Sequence, residues 1–111
     1  MPTTKDIGNR GEDIASIYLQ QHGFVITDRN WRTRWCEIDI VATKNDTVYF
    51  VEVKFRAHAK FGSGLDYITP KKQQQMHFAA ELWLQTHNYT GDAVLAAIEV
   101  DSTNQTTFVE L

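Results

Sequence analysis

Residues 37–56, EIDIVATKNDTVYFVEVKFR, constrain the fold more than any other stretch of this chain. Two runs rich in β-branched and aromatic residues flank Asn45 and Asp46, a pair suited to a two-residue hairpin turn. A turn centred on this pair places Ile40 opposite Val51 on the neighbouring strand. The stretch therefore predicts an antiparallel β-hairpin.

The same register brings charged side chains together at the open end of the hairpin. It places Asp39 opposite Glu52 and, two residues further, Glu37 opposite Lys54. We expect Ile38 and Ile40 to fill the other face of the sheet. Two facing carboxylates in apolar surroundings repel each other, unless one is protonated or a cation lies between them.

Carboxylate oxygens favour Mg²⁺ or Mn²⁺ over zinc as the cation at such a place. Lys54 follows Glu52 by two residues and points the same way, so its ammonium could hold an attacking water or a phosphate. Two acids on a metal with a nearby lysine suit the hydrolysis of a phosphodiester. The alternative is that Asp39, Glu52 and Lys54 form a salt-bridge cluster at the surface.

The rest of the chain predicts two helices packed on a sheet. Apolar residues at helical spacing cover 5–22, and Thr69-Pro70 suits the start of a second helix that runs to about His87. Strands are predicted at 24–31, 35–43, 47–56, 93–100 and 106–110, with a loop at 57–68. The expected fold class is α/β (α+β), a mixed β-sheet flanked by helices in the order αβββαββ, as a single domain over residues 1–111.

Composition narrows the class of protein. Hydrophobic residues make up 42% of the chain, which is enough for a packed core, and Cys36 is the only cysteine. We interpret Cys36 as a half-buried strand residue rather than a catalytic thiol. The polar start of the chain and the lack of a long apolar run predict no signal peptide, no membrane association and a cytoplasmic location.

The charge is unevenly distributed. The chain has a net charge of -3, yet the segment from Lys54 to Lys72 carries +4. Its charged residues are Lys54, Arg56, Lys60, Asp66, Lys71 and Lys72. A local basic patch on an acidic body suits an anionic ligand at one site, and the alternative is a solvated loop and helix face.

Asp39 followed on the next strand by Glu52-Val53-Lys54 resembles the PD-(D/E)xK nuclease signature. The stretches GNRGEDIASIYLQQHGF, NWRTRWCEIDIVA, VYFVEVKFR and ITPKKQQQ together resemble the bacterial YraN-like family, which is described as endonuclease-like. The resemblance covers roughly residues 5–100. It implies a restriction-endonuclease-like fold and a Mg²⁺- or Mn²⁺-dependent endonuclease that acts on DNA, including branched or single-stranded DNA.

The resemblance also implies roles for individual residues. Asp39 and Glu52 would bind the metal with the carbonyl of Val53, and Lys54 would position water and stabilise charge. Glu12 would be an outer ligand of the metal or its water. The alternative for Glu12 is a first-turn acid that favours the helix dipole.

Four further residues would contact nucleic acid by the same resemblance. Lys71 and Lys72, at the start of the second long helix, would contact phosphate together with the exposed backbone amides. Arg56 would extend this path, and Gln74 or Gln75 would reach the metal site from one turn into the helix. Dimerisation would double the surface, and the sequence does not decide whether it occurs.

Two other features stay open at this point. The segment Trp31–Trp35, WRTRW, either stacks on nucleic acid or is a turn whose tryptophans complete the core. Gly8 and Gly11 allow close approach to the first helix, either by a strand or by DNA. The competing functions are a non-catalytic module that binds nucleic acid or protein, and a plain scaffold.

Overall fold

The structure is a computed structural model that describes residues 3–56 and 67–111, with residues 4–8 described at the level of the backbone. In this part of the chain the order of elements is αβββαββ, which confirms the predicted order. The elements are α1 (Thr4–Gln21), β1 (Val25–Arg32), β2 (Glu37–Lys44), β3 (Thr47–Arg56), α2 (Pro70–Thr86), β4 (Asp92–Asp101) and β5 (Thr106–Glu110).

The five strands form one mixed sheet in the spatial order β1-β2-β3-β4-β5. Neighbouring strands are antiparallel except for β3 and β4, which are parallel and are joined through α2. This arrangement confirms the predicted mixed α/β fold, in which β1 and β5 are the edge strands. None of the described helices is both long and apolar enough to cross a membrane.

The hairpin of β2 and β3 turns where the sequence predicts. Asn45 and Asp46 have φ angles of 52° and 63°, and two successive left-handed residues are typical of a type I′ turn. The predicted pairing holds from the turn as far as Ile40 opposite Val51. The regular register of this hairpin is thus confirmed over its apolar half.

The predicted pairs Asp39–Glu52 and Glu37–Lys54 are wrong, because the described pairing of β2 with β3 ends at Ile40–Val51. The carboxylate of Asp39 instead accepts a hydrogen bond from the backbone amide of Val53. At this point a hydrogen bond from the backbone to a side chain replaces the backbone–backbone hydrogen bonds of the regular ladder.

The placement of Ile38 is also a correction. The prediction that Ile38 and Ile40 share one face is wrong, because Ile40 packs on the α1 side of the sheet and Ile38 packs on the α2 side. Asn30 and Asp39 are the residues between the β1–β2 pairs Arg29–Ile40 and Trp31–Ile38, and Asn30 has a φ of 53°. Asparagine tolerates this left-handed conformation, and the break in extended backbone accounts for the lost alternation.

Two apolar layers cover the two faces of the sheet. On the α1 side, the buried core consists of Ala15, Leu19, Phe24, Ile40, Ala42, Val51, Ala96, Ile98 and Val100. On the α2 side it consists of Ile38, Val41, Val48, Phe50, Ala79, Ala80 and Trp83. In the predicted strand 93–100, three consecutive residues, Ala96, Ala97 and Ile98, are buried, so β4 is covered on both faces there, whereas Ala93 is exposed.

Gly11 settles one alternative left open by the sequence. A Cβ atom on Gly11 would lie 3.3 Å from Cβ of Phe55 on β3. The absence of a side chain at Gly11 therefore lets α1 approach a strand, so the strand, rather than DNA, is the close neighbour at this position.

The connections explain the remaining differences in element boundaries. The amide of Thr33 donates to the carbonyl of Cys36 at 2.9 Å, which makes residues 33–36 a turn and delays β2 to Glu37. Thr69 caps α2 by accepting from the amide of Lys72, as predicted from Thr69-Pro70. The predicted loop at 57–68 lies mostly outside the described residues.

Candidate functional site

A groove of about 650 Å³ opens beside the sheet where β2 and β3 stop pairing. Its lining residues come from the turn before β2, from β2 and β3, and from the first half of α2. They are Trp35, Cys36, Glu37, Asp39, Glu52, Lys71, Lys72, Gln74, Gln75, Met76 and Phe78. The groove thus joins two of the predicted metal ligands, Asp39 and Glu52, with residues of α2 that were predicted to contact nucleic acid.

Asp39 is an acid of this groove whose pKa is shifted by its surroundings. Its Oδ2 accepts a hydrogen bond of 2.8 Å from the backbone amide of Val53. Burial and the neighbouring Glu52 carboxylate raise the pKa of Asp39 from 3.8 to about 7, and Glu12 and Glu37 add to this rise. The hydrogen bond from Val53 opposes the rise without cancelling it. Additional positive charge near Asp39 would therefore be favourable.

Glu52 has a positive partner in Lys72, and not in Lys54 as the alternative of a surface salt-bridge cluster would require. The Nζ atom of Lys72 lies 3.1 Å from Oε1 of Glu52, whose side chain is 19% exposed. The N-terminal turn of α2 holds this lysine in place, because the backbone amide of Lys72 is bound by Thr69 Oγ1 at 3.1 Å. The N-cap thus links the start of α2 to the acidic floor of the groove.

Lys54 is not brought into the groove. It lies on the same face of β3 as Glu52, but its Nζ is 5.8 Å from the centre of the Tyr67 ring. Arg56 is not among the residues that line the groove, and its Nε lies 3.5 Å from Oε2 of Glu99 on β4. Burial, followed by the carboxylates of Glu52 and Glu99, raises the pKa of Tyr67.

Glu12 lies on α1, in the middle of the helix. Because α1 begins at Thr4 and the effect of a helix dipole is confined to the first turn, the dipole alternative for Glu12 is wrong. Its Oε1 accepts a hydrogen bond of 2.9 Å from Nδ2 of Asn30 and lies 3.7 Å from Nη2 of Arg29. The side chain is only 14% exposed. Asn30 therefore links Glu12 to the point where the side chains of β1 and β2 stop alternating between the two faces of the sheet.

The carboxylates of the groove are the kind of ligand that a hard divalent cation prefers, but they are too few to fill its coordination shell. Asp39 and Glu52 supply carboxylate oxygens, and Mg²⁺ is commonly bound through one or two carboxylates with water and phosphate oxygens completing its shell. No group of three or more His, Cys, Asp or Glu side chains that could hold a metal is present among the described residues. The protein's own side chains would thus form only part of the coordination shell.

The two tryptophans of the segment WRTRW differ in how exposed their side chains are. Trp31 packs against the core on the α2 side, as the core interpretation predicts. Trp35 is 68% exposed and lines the groove, so that interpretation is wrong for Trp35. Cys36 is half-buried as predicted, contacts the same core and has Thr33 Oγ1 at 3.5 Å from its sulfur, but it lies in the turn before β2 rather than in a strand.

Sequence reasoning did not find two residues of this site. Phe78 was not singled out, although Lys71, Gln74, Gln75 and Phe78 recur at the spacing of one exposed face of α2. Asn30 lies inside the predicted strand 24–31, which gives it no role in the site. The signals available in the sequence were a phenylalanine on the polar face of a helix and an asparagine inside a predicted strand.

Comparison with known proteins identifies the family. The model of the "Uncharacterised protein family UPF0102" matches residues 11–108. A UPF0102 protein of Leifsonia xyli subsp. xyli is 40% identical over 87 residues, which are 78% of this chain and 74% of that protein.

Relatives from other bacteria give similar values. A UPF0102 protein of Pseudomonas putida is 44% identical over 85 residues, 77% of this chain and 69% of the relative. One from Chlorobium phaeobacteroides is 46% identical over 78 residues, 70% of this chain and 61% of the relative. These matches confirm the YraN-like resemblance: the chain belongs to the uncharacterised protein family UPF0102.

Proposed function

We propose that this protein is a metal-dependent endonuclease-like enzyme of the PD-(D/E)xK superfamily that hydrolyses phosphodiester bonds in DNA. The observation that carries the proposal is the placement of Asp39 beside Glu52 at the point where β2 and β3 separate. Burial and, second, the Glu52 carboxylate raise the pKa of Asp39, so the ionised form of Asp39 is costly without a nearby cation. A divalent cation would lower this cost.

In this proposal Asp39 and Glu52 hold Mg²⁺ or Mn²⁺, with the carbonyl of Val53 as a third protein oxygen and Glu12 in an outer position. When bound, the metal supplies Lewis acidity at a phosphate oxygen and a water of lowered pKa. The hydrogen bond from the Val53 amide fixes Asp39 Oδ2, which leaves its other oxygen for the cation.

The lysines of the site would act on the phosphate and the attacking water. Lys71 and Lys72 lie in the first turn of α2, where the positive end of the helix dipole also favours an anion. Lys54 shares the Glu52 face of β3 and would position the water after turning from Tyr67 towards the groove. Gln74 lines the groove one turn further along α2 and would contact the backbone of the nucleic acid, with Arg56 beyond Lys54.

A cleavage assay with matched variants tests the proposal. Labelled single-stranded, duplex, forked and four-way DNA would be incubated with Mg²⁺ or Mn²⁺. We expect cleavage by the native chain and a loss of about 100-fold or more in Asp39→Asn, Glu52→Gln and Lys54→Met, since each removes charge stabilisation at the reacting phosphate. Glu37→Gln is the control, because Glu37 lines the same groove but pairs with Arg32 at 3.2 Å.

Cleavage that persists unchanged in Asp39→Asn would contradict this site. Calorimetric titration with Mn²⁺ gives a second readout that does not depend on finding the substrate. Binding to the native chain that is lost in the double variant Asp39→Ala, Glu52→Ala would support a cation at these carboxylates.

The second candidate function is a non-catalytic module that binds nucleic acid. Two observations favour it: Lys72 already neutralises Glu52, and the described residues contain no group of three or more metal-binding side chains. This candidate predicts salt-sensitive binding to DNA that needs no metal, and no cleavage of any substrate. The Mn²⁺ titration separates the two candidates.

A further inference from the structure

The two large aromatic side chains on the groove are exposed, and neither is used by the mechanism proposed above. Trp35 is 68% exposed and Phe78 is 54% exposed, and both line the groove whose floor carries Asp39 and Glu52. Single exposed hydrophobic residues are common on protein surfaces. Two aromatic rings on one charged groove are a more specific arrangement, because both would face the same ligand.

Trp35 is held outward by the polar contacts of its own turn. The hydroxyl of Thr33 accepts hydrogen bonds from the amides of Trp35 and Cys36 at 3.1 and 3.3 Å. The amide of Thr33 donates to the carbonyl of Cys36 at 2.9 Å, which closes the turn. The indole is therefore presented by an ordered backbone rather than by a loose loop, and a pre-organised contact binds a ligand at a lower entropic cost.

Positive charge lies beside the Trp35 ring and on the helix that carries Phe78. The guanidinium carbon of Arg34 lies 5.4 Å from the centre of the Trp35 ring. Lys71 and Phe78 line the groove from one exposed face of α2, seven residues and therefore about two turns apart. An aromatic surface beside cations is the combination by which proteins bind single-stranded nucleic acid, with bases stacked on rings and phosphates near lysine or arginine.

The geometry points to one kind of occupant, and this inference rests on the proposed function. We propose that Trp35 and Phe78 are stacking surfaces for unpaired bases next to the phosphate held over Asp39 and Glu52. Bases inside a continuous duplex stack on each other and offer no free face to a side chain. The substrate class is therefore DNA with unpaired nucleotides at the cut site, such as a single strand, a gap or a branch point, rather than intact duplex.

Binding measured without divalent metal tests the stacking role separately from catalysis. Fluorescence anisotropy would compare a labelled oligodeoxythymidine with a blunt duplex of equal strand length, both in EDTA. We expect the native chain to bind the single strand more tightly than the duplex. Trp35→Ala and Phe78→Ala should each weaken single-strand binding by roughly 5- to 150-fold and leave duplex binding within about twofold, since stacking involves exposed base faces alone.

Two control variants keep this comparison interpretable. Ile17→Ala removes a hydrophobic side chain that is 53% exposed on α1, away from the groove, and should change neither affinity. Trp35→Phe retains an aromatic face, so it should keep most of the single-strand affinity. It should also lose most of the quenching of tryptophan fluorescence by the oligonucleotide, because Trp31 and Trp83 pack in the core.

The outcomes separate this inference from the proposed function. Equal loss of single-strand and duplex affinity in Trp35→Ala, or no loss of either, would overturn the stacking role. Equal cleavage of duplex and single strand that is unaffected by Trp35→Ala would also overturn it, while the nuclease proposal would stand. Aromatic-dependent binding to the single strand without cleavage of any DNA would support the stacking role and contradict the nuclease proposal.

Discussion

The two ends of the β2–β3 hairpin are built by different means. At the turn end, Asn45 and Asp46 adopt left-handed backbone conformations and the strands pair regularly as far as Ile40–Val51. At the other end, the described pairing has stopped and Asp39 accepts from the backbone of the partner strand. Apolar burial determines the first end, whereas hydrogen bonds and charges determine the second.

This difference shows why the charged end can be a site. Regular pairing between strands leaves no room for a ligand, because facing side chains are about 5 Å apart. Where the ladder ends, the polar groups of the two strands are free to contact other elements. Glu52 reaches Lys72 on α2, and Glu12 on α1 raises the pKa of Asp39. Both helices thus act on the same pair of strand residues from opposite faces of the sheet.

The largest expected effect lies at the paired end. Phe50 is 2% exposed and packs against Trp83 with the rings 5.4 Å apart. We expect Phe50→Ala to lower the free energy of unfolding by about 3–5 kcal/mol, because it leaves a cavity in the core. Urea denaturation measures this, with Phe78→Ala on the exposed face of α2 as the control, expected within about 0.5 kcal/mol of the native chain. Similar losses in both variants would contradict the difference in packing.

A substitution of Asp39 at the open end should instead increase the stability of the protein. Without metal, Asp39→Asn should raise the free energy of unfolding by on the order of 2 kcal/mol at about pH 8, because an ionised carboxylate is no longer buried. An asparagine can still accept from the Val53 amide. Loss of stability in this variant would show that the charge of Asp39 stabilises the fold.

The same carboxyl predicts how stability depends on pH. The pKa of Asp39 is about 7 in the folded chain against 3.8 for the free side chain. The folded state therefore keeps a proton between these values that the unfolded state releases, and the free energy of unfolding of the native chain falls as pH rises through this window. Asp39→Asn should remove this slope, whereas Asp13→Asn, which replaces an exposed acid paired with Arg29, should retain it.

A smaller effect is expected where α2 meets the open end. Thr69 Oγ1 accepts from the amide of Lys72, and its loss in Thr69→Ala should lower the free energy of unfolding by about 1 kcal/mol. Thr69→Ser should restore most of this value because its hydroxyl can make the same bond. If serine and alanine are equally unstable, the cap contributes through packing rather than through its hydrogen bond.

The smallest effect is expected at the turn. Asp46 has a φ of 63°, which glycine adopts without the steric cost of a Cβ atom. Asp46→Gly should therefore raise the free energy of unfolding by about 0.5 kcal/mol, and Asp46→Ala should lower it. Thermal unfolding of the two variants beside the native chain measures the difference. Equal behaviour of glycine and alanine would contradict a type I′ turn.

The paired end of the hairpin could be predicted from the sequence, and the open end only in part. Alternating apolar residues around Asn45-Asp46 specify one register, since a slip by one residue would expose the core face of both strands. The same rule failed at Ile38 because Asn30, on a different strand, interrupts the extended backbone. A left-handed residue on the neighbouring strand cannot be detected from the local sequence pattern of residues 37–56.

The partners of the charged residues were the least predictable part of the site. The sequence placed Asp39 and Glu52 together, and the structure brings both to one groove. It could not indicate that Lys72 rather than Lys54 would contact Glu52, because that depends on how α2 docks on the sheet. Tertiary packing determines which long, flexible side chains from distant segments come into contact. The spacing of residues along one strand therefore does not predict these contacts.

The ion pair of Glu52 with Lys72 gives the groove a built-in competitor for cations. Any ion that binds Glu52 exchanges with an ammonium group 3.1 Å away, so a measured affinity is the difference between two interactions. An anion that attracts Lys72 would weaken this competition, and by thermodynamic reciprocity the cation would then strengthen binding of the anion. Affinity for a cation alone would consequently understate what the same carboxylates achieve when a phosphate is present.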